Sequence, residues 1–347
     1  MNPALPALGL ELAPFRQRWP WIGPDLQTLR DTLSPPRLPA DQGEPLALAV
    51  GEGCSLLALC DPPRLAEPRA LVVLLHGLGG SSEREGLRRM GLSLQDAGMA
   101  VWRLNLRGAG PGRSLAPGTY AARCDSDLLP VLRRAREQAG GLPLLGVGIS
   151  LGGTMLLNAV LAEAGVLDGL VCTSSPLDLA ACSRQIERPR NRIYQRWLLR
   201  RLRAQTLADP FGVSAAERWA LQGPDRPRTI RAFDAAITAP RWGYGSVEHY
   251  YRQASPLPRL LAAPGADERS HPALPPTLLL HALDDPWVPA SGAQALAAHP
   301  PSGVEVLLTG QGGHNGFHGV GDAPLSCWGD QVTVQWLERL LAGGLGR

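Results

Sequence analysis

The chain has 347 residues, of which 44% are hydrophobic, and its formal net charge at pH 7 is +3. So small a charge gives no electrostatic reason to expect nucleic-acid binding, and the hydrophobic fraction is ordinary for a globular protein. Because all 34 basic residues are arginines, Schiff-base chemistry and a phosphate-binding P-loop lysine are excluded.

Residues 1–45 form a proline-rich segment that carries Phe15, Trp19 and Trp21, and we expect it to pack on the body as an N-terminal arm. Its first residues lack the basic stretch and continuous apolar run of a signal peptide. The six cysteines show neither CxxC nor zinc spacing, which favours reduced, mostly buried thiols. The sequence therefore predicts a cytoplasmic protein that has no transmembrane segment and uses neither a metal nor another cofactor.

Residues 46–347 form the predicted body, which begins with alternating strand and helix patterns. Residues 45–60 predict a first strand or a hairpin, and the aliphatic run 70–75 is typical of a strand buried on both faces of a parallel sheet. A helix is expected at 84–97 and a strand at 99–106. A helix capped by Asp125 or Asp127 should then run to residue 139, and a strand should end at residue 148. A helix at 154–164 and a strand at 167–174 follow. This alternation predicts a mainly parallel, doubly wound sheet.

The alternation stops over residues 177–255, where arginine-rich helical patterns replace it at 190–207 and 229–239. An insertion between two strands, lying over their carboxyl ends, would form a helical cap. Strand patterns return at 276–282 and 304–309, and a helix at 331–341 ends the body.

The sequence Gly148-x-Ser150-x-Gly152 lies between a buried-strand pattern and a helix pattern. This context is that of a nucleophile elbow, in which a sharp turn raises a serine hydroxyl at the carboxyl end of a sheet. A Cβ atom at either flanking glycine would collide with the neighbouring strand or helix. Ser150 is therefore the candidate nucleophile.

A serine nucleophile needs a base, and the base needs an acid to orient it. Asp285 and His314 follow Ser150 in the chain order Ser, Asp, His of α/β-hydrolases, and each comes directly after a predicted strand. All three should therefore meet at one edge of the sheet. Asp284 and His318 are the alternatives; Asp285 fits the pattern Asp-x-x-Val-Pro better, and His314 comes straight after the strand.

An oxyanion hole made of backbone N–H groups is expected to complete this site. The residue after the nucleophile, Leu151, would supply one N–H group, and Leu78 in the early strand–helix loop would supply the other. Gly79 and Gly80 would let that loop approach the substrate, and His76 would hold it through local hydrogen bonds.

Eight short segments, spread over nearly the whole chain, together resemble the YheT-like branch of the α/β-hydrolases, which includes abhydrolase domain-containing proteins 1, 2 and 3. They are Pro-Asp-Leu-Gln-Thr-Leu at 24–29, His-Gly-Leu-Gly-Gly-Ser-Ser at 76–82, Asn-Leu-Arg-Gly-Ala-Gly at 105–110, Gly-Ile-Ser-Leu-Gly-Gly at 148–153, Thr-Ile-Arg-Ala-Phe-Asp-Ala-Ala-Ile-Thr-Ala-Pro at 229–240, Glu-His-Tyr-Tyr-Arg-Gln-Ala-Ser at 248–255, Asp-Asp-Pro-Trp-Val-Pro at 284–289 and Gly-Gly-His-Asn-Gly-Phe at 312–317. One departure is Asp25, where the family commonly has histidine. The resemblance implies hydrolysis of carboxylic esters of short acyl chains or of lipids.

We therefore expect a serine esterase that cleaves small-molecule or lipid esters through an acyl-enzyme. An acyltransferase would use the same three residues, and a non-catalytic binding protein could keep the same fold. The intact set of Ser150, Asp285 and His314 argues against the binding protein.

The arginines of the predicted cap raise the question of a membrane contact. The simpler interpretation is a solvated arginine face whose apolar stripe packs on the body; the alternative is a weak contact with anionic lipid or an acidic substrate. The arginines are Arg184, Arg188, Arg190, Arg192, Arg196, Arg200, Arg201 and Arg203, and the apolar stripe is Ile193, Trp197, Leu198 and Leu202.

Overall fold

Eight strands form one sheet in the computed structural model, which describes residues 4–64, 67–262 and 274–344. Their order is β1-β2-β4-β3-β5-β6-β7-β8; β1 and β2 form a hairpin, β2 runs antiparallel to β4, and every other pair is parallel. The mainly parallel, doubly wound sheet is thus confirmed. The strands are β1 (Glu44–Gly51), β2 (Cys54–Asp61), β3 (Leu71–Leu75), β4 (Ala100–Asn105), β5 (Leu144–Ile149), β6 (Gly169–Thr173), β7 (Thr277–Ala282) and β8 (Val304–Thr309).

Fourteen α-helices are present in the described part of the chain. They are α1 (Ala4–Ala7), α2 (Pro24–Leu33), α3 (Glu85–Asp96), α4 (Asp125–Gln138), α5 (Leu151–Ala162), α6 (Leu179–Ile186), α7 (Arg192–Leu207), α8 (Ala215–Gln222), α9 (Ile230–Phe233), α10 (Ala239–Arg241), α11 (Val247–Ala254), α12 (Leu257–Leu261), α13 (Ser291–Ala298) and α14 (Trp328–Ala342). Two 3₁₀ turns (Gly110–Leu115 and Pro189–Asn191) and one π-helical turn (Asp234–Thr238) complete the helical elements. Each of these helices is too short or too polar to cross a membrane.

Two apolar layers cover the two faces of the sheet. Side chains alternate along a strand, so Leu71, Val73 and Leu75 of β3 face one layer, while Val72 and Leu74 face the other. Helices α4, α5 and α13 contribute to the first layer, and α3 and α14 contribute to the second. Burial on both faces explains why the central strands are continuous aliphatic runs.

The segment before β1 contacts the second layer of the sheet. Leu5, Leu8 and Leu10 are buried in that layer, and the Arg339 guanidinium of α14 donates a hydrogen bond to the Leu8 carbonyl. The indole N–H of Trp328 donates to the carbonyl of Ala13. These contacts hold residues 5–13 against the body.

The segment between β6 and β7, which we call the cap segment (residues 174–262), contains α6 to α12. It has its own apolar cluster, built mainly around α7 and α9. The helical pattern expected over 229–239 is present as one continuous helical run, in which α9 is followed by a π-helical turn and then by α10. The side chain of Asp234, at the start of that turn, accepts a hydrogen bond from Thr238 four residues later.

The cap of helix α4 also differs from the expectation. The residue before the helix is Cys124, and neither Asp125 nor Asp127 caps it. Asp127 instead forms a two-pronged ion pair with Arg107, with N–O distances of 2.5 and 2.8 Å. The guanidinium offers charge-assisted hydrogen bonds, which are stronger than those of a backbone N–H.

Candidate active site

The turn between β5 and α5 holds Ser150 in an uncommon backbone conformation, with φ 55° and ψ −123°. Glycines make this turn sterically accessible: a Cβ atom on Gly152 would lie 2.6 Å from the Leu75 carbonyl oxygen. One on Gly148 would overlap the backbone of Gly153. The strained turn raises the serine side chain at the carboxyl end of the central strands.

His314 lies on the loop after β8, with its Nε2 atom 2.9 Å from the Ser150 hydroxyl oxygen. The backbone N–H of His314 donates to the Thr28 hydroxyl at 2.9 Å, and the indole of Trp287 stacks on the imidazole with ring centres 4.6 Å apart. His314 is buried, with its backbone held by Thr28 and its ring by Trp287. This geometry allows the imidazole to accept the serine proton.

Asp285, after β7, lies on the far side of the imidazole from Ser150. Its Oδ2 atom is 2.8 Å from Nδ1 of His314, and its Oδ1 atom accepts from the backbone N–H groups of Trp287 and Val288. Burial raises the pKa of this carboxyl, but the charge and hydrogen bond of His314 and the Val288 N–H outweigh burial and hold that pKa below its usual value. The carboxylate thus accepts a hydrogen bond from the Nδ1–H of His314 and leaves Nε2 facing Ser150.

The two alternative residues lie outside this chain of hydrogen bonds. Asp284 accepts a hydrogen bond from the backbone N–H of Gly313 at 2.9 Å, so it holds the loop that carries His314. His318 lies 3.3 Å from Asp31, and its backbone N–H donates to the side chain of Gln27. Both residues stabilise the loop without reaching Ser150.

The loop after β3 borders the serine from the other side. A Cβ atom on Gly77 would lie 2.9 Å from the Ser150 Cβ atom, so only glycine permits this approach. Leu78 and Leu151 both line the cavity described below, and neither backbone N–H donates a hydrogen bond within the described residues. Two unpaired donors beside a nucleophile are what an oxyanion hole requires.

Buried groups hold this loop in position. The hydroxyl of Tyr120 accepts from the Gly79 N–H at 2.6 Å. Burial lowers the pKa of His76 to about 4, so the ring is neutral at pH 7. Its Nδ1 donates to the Gly77 carbonyl at 2.8 Å, and its Nε2 accepts from the Leu106 N–H at 3.3 Å. This arrangement agrees with the local structural role expected for His76.

Three contributors to the site were not assigned by the sequence reasoning, namely Thr28, Trp287 and Tyr120. Thr28 and Trp287 lie within two of the segments that resemble the family, at 24–29 and 284–289. The resemblance therefore includes both residues, but it does not indicate what their side chains do. Tyr120 lies outside all of those segments. No cluster of His, Cys, Asp or Glu with metal-binding geometry occurs among the described residues.

A cavity of about 570 Å³ opens beside Ser150 and His314 and extends beneath the cap segment. The cap segment contributes the apolar side chains of Leu179, Ile186, Leu198, Leu202, Ile230 and Phe233 to it, together with polar residues that include Gln205, Thr206 and Asp234. A volume of this size is typical of sites that bind small organic molecules.

Comparison with known proteins agrees with this geometry. A family model described as the α/β hydrolase fold matches residues 70–319. YheT of Escherichia coli (strain K12) is 31% identical over 82% of this chain and 81% of its own length. Phospholipase ABHD3 of Mus musculus is 29% identical over 80% of this chain and 66% of its own length. Medium-chain fatty acid ethyl ester synthase/esterase 2 of Saccharomyces cerevisiae is 27% identical over 70% of this chain and 57% of its own length. The chain therefore belongs to the α/β-hydrolase family, as a YheT-like member.

Proposed function

We propose that this protein is a serine hydrolase that cleaves carboxylic esters through an acyl-enzyme. The observation that carries the proposal is the continuous hydrogen-bonded series Asp285–His314–Ser150, with contacts of 2.8 and 2.9 Å. The relatives support the class of reaction, because two of them are named as a phospholipase and as an ester synthase/esterase.

In the proposed mechanism, the Ser150 oxygen attacks the ester carbonyl while Nε2 of His314 takes the hydroxyl proton. The negative oxygen of the tetrahedral intermediate accepts hydrogen bonds from the N–H groups of Leu78 and Leu151. The intermediate collapses, the carbon–oxygen bond of the ester breaks, and His314 returns its proton to the departing alcohol. Water then attacks the acyl-enzyme by the same route and releases the acid. Asp285 orients the imidazole and stabilises its charged form throughout.

The apolar walls of the cavity favour esters with an aliphatic or lipid portion. Hydrocarbon groups gain roughly 0.8 kcal/mol for each methylene that they bury. A graded series of p-nitrophenyl esters should therefore show kcat/KM rising with acyl-chain length until the cavity is filled. Acyl transfer to an alcohol uses the same residues, and the yeast relative is named for both directions. Product analysis with added ethanol separates transfer from hydrolysis.

The decisive test replaces the nucleophile. We expect Ser150→Ala to abolish both labelling by a fluorophosphonate probe and hydrolysis of p-nitrophenyl esters. Ser302→Ala, at an exposed serine before β8, is the matched control and should keep both activities. Residual activity of Ser150→Ala at the wild-type level would refute the assignment. Wild-type protein that is folded but neither labels nor hydrolyses would favour a binding protein instead.

We also propose that one face of α7 contacts anionic lipid. Ile193 is 80% exposed and does not pack on the body as Leu198 and Leu202 do; Trp197 is 42% exposed, while its ring also contacts that of Trp287 at the cavity, with ring centres 6.3 Å apart. They lie beside a row of exposed arginines with no ion-pair partner in the described residues: Arg192, Arg196 and Arg200. Exposed apolar side chains next to unpaired cations are the pattern of an interfacial helix.

Sedimentation with lipid vesicles tests this contact. We expect binding to vesicles that contain phosphatidylglycerol and little binding to pure phosphatidylcholine, with a loss at high salt. Replacing Arg192, Arg196 and Arg200 by Gln should weaken the binding strongly. A matched triple replacement elsewhere, at Arg64, Arg69 and Arg134, should have much less effect. Equal losses would indicate a response to net charge alone. The cytoplasmic location and the division into arm, body and cap stay predictions.

A further inference from the structure

Two segments that resembled the family, 229–240 and 248–255, meet inside the cap segment. Asp234 begins the π-helical turn, and its Oδ1 atom accepts from the Thr238 hydroxyl at 2.8 Å. Its Oδ2 atom accepts from the Tyr251 hydroxyl of α11, also at 2.8 Å. π-helical turns are rare and are frequently found at functional sites. The ester-cleaving mechanism proposed above gives none of these three side chains a role.

These three residues line the same cavity as Ser150. The carboxyl of Asp234 lies deep in the protein, yet the residue keeps part of its surface accessible. Its neighbours along the cavity wall include the apolar side chains of Ile230 and Phe233. Asp234 and its two hydroxyl partners thus form a polar group beside apolar side chains of the wall.

The carboxyl has no cationic partner. No arginine or histidine of the described residues pairs with Asp234, and its hydrogen bonds come from neutral hydroxyls only. Burial raises its pKa to about 6, so it is mostly ionised at pH 7. A carboxylate offers about four acceptor positions, and Thr238 and Tyr251 occupy two. Unused acceptor capacity that faces a cavity can be satisfied by a ligand.

We propose that Asp234, oriented by Thr238 and Tyr251, is a binding subsite for a hydrogen-bond donor, a hydroxyl or an ammonium group, on the ester substrate. The inference rests on the proposed ester hydrolysis and adds a substrate class to it. The preferred substrates carry a donor at one end and an apolar portion along the rest of the cavity. An anionic group is disfavoured at this point, because it would meet an uncompensated negative charge.

Matched esters, in which a terminal hydroxyl replaces a terminal methyl, test the subsite. Propyl and 2-hydroxyethyl hexanoate place the donor in the alcohol, whereas methyl heptanoate and methyl 6-hydroxyhexanoate place it in the acyl chain. Methyl 6-aminohexanoate supplies an ammonium donor. The measured quantity is the ratio of kcat/KM for the donor ester to kcat/KM for its methyl partner. We expect a wild-type ratio well above one in at least one series.

The variant Asp234→Asn keeps the shape of the side chain and removes its charge. We expect it to lower that ratio by about tenfold or more, because hydrogen bonds to charged groups discriminate by that order. Glu248→Gln is the matched control, since this carboxylate lies on the exposed side of α11 and pairs with Arg231. It should keep the wild-type ratio.

The results of these assays distinguish a failure of the proposed subsite from a failure of the proposed function. Wild-type protein that hydrolyses no ester of the panel contradicts the proposed function. Wild-type protein that hydrolyses the methyl-ended esters equally well or better in every series overturns the subsite alone, whether or not a variant folds. A folded Asp234→Asn protein with an unchanged ratio also overturns it. Tyr251→Phe gives a second test, because loss of one orienting hydroxyl should reduce the ratio in the same direction.

Discussion

A buried carboxylate without a cationic partner should make the protein less stable as it ionises, and Asp234 allows this to be measured. In the folded protein burial raises its pKa from 3.8 to about 6. Between these two pH values the folded state holds a proton that the unfolded state has already released. The contribution of Asp234 to the free energy of unfolding therefore falls as the pH rises through this window, and it is lowest above the folded pKa.

The size of the effect follows from the two pKa values. The difference between 6 and 3.8, at about 1.36 kcal/mol for each pH unit, gives roughly 3 kcal/mol. Asparagine resembles the protonated carboxyl at every pH. The change Asp234→Asn should therefore leave a small, constant difference in stability near pH 4 and add up to about 3 kcal/mol of stabilisation above pH 7.

Urea unfolding followed by tryptophan fluorescence, from pH 4 to pH 8, measures this difference. The expected result is a gap between variant and wild type that widens with rising pH and levels off above the folded pKa. Contributions from other titrating groups cancel, because both proteins share them. In Glu248→Gln, hydrogen bonds and the Arg231 charge hold the pKa of the replaced carboxyl below its usual value, so this control should show no gain at high pH. Parallel stability curves for Asp234→Asn and wild type would refute the reasoning.

Three further changes probe the site itself. Asp285→Asn should lower kcat by about 10⁴-fold without unfolding the protein, since it favours the wrong tautomer of His314; steady-state kinetics and circular dichroism check both points. Gly148→Ala should prevent stable folding, because the added Cβ would overlap the backbone of the helix that follows, whereas Gly245→Ala, which meets nothing within 4 Å, should be tolerated in a thermal melt. Thr28→Val removes the acceptor of the His314 N–H and should lower kcat roughly fivefold to tenfold, with rescue by Thr28→Ser. Wild-type kcat in Thr28→Val would contradict a positioning role for this hydroxyl.

The sheet and the ends of its strands could be predicted because their signals are local. β3 is an unbroken aliphatic run buried at every position, and β8 spans the residues expected for it. Once parallel strands are assigned, geometry brings the residues that follow them to one edge. That is why Ser150, Asp285 and His314 could be named from their local motifs, their chain order and their positions after predicted strands, and the structure brings their side chains within hydrogen-bonding distance.

The rest of the site depends on contacts between distant parts of the chain. Thr28 and His314 are 286 residues apart, and no local pattern indicates that an arm segment will bind the loop after the last strand. The π-helical turn at Asp234 could not be predicted either, since its residues fit an ordinary helix pattern. Its carboxylate is held by Tyr251, 17 residues away on another helix. Such features need the packed structure, because tertiary contacts decide them.

Long-range contacts also explain why aspartate is suitable at position 25, where the family commonly has histidine. Asp25 lies on α2, three residues before the Thr28 that holds His314, and its carboxylate accepts hydrogen bonds from Arg190 and Tyr194 at 2.9 and 2.8 Å. A neutral histidine could not form this ion pair, whereas aspartate suits both donors. Helix α2 therefore contacts the cap segment through one residue and the loop of His314 through another.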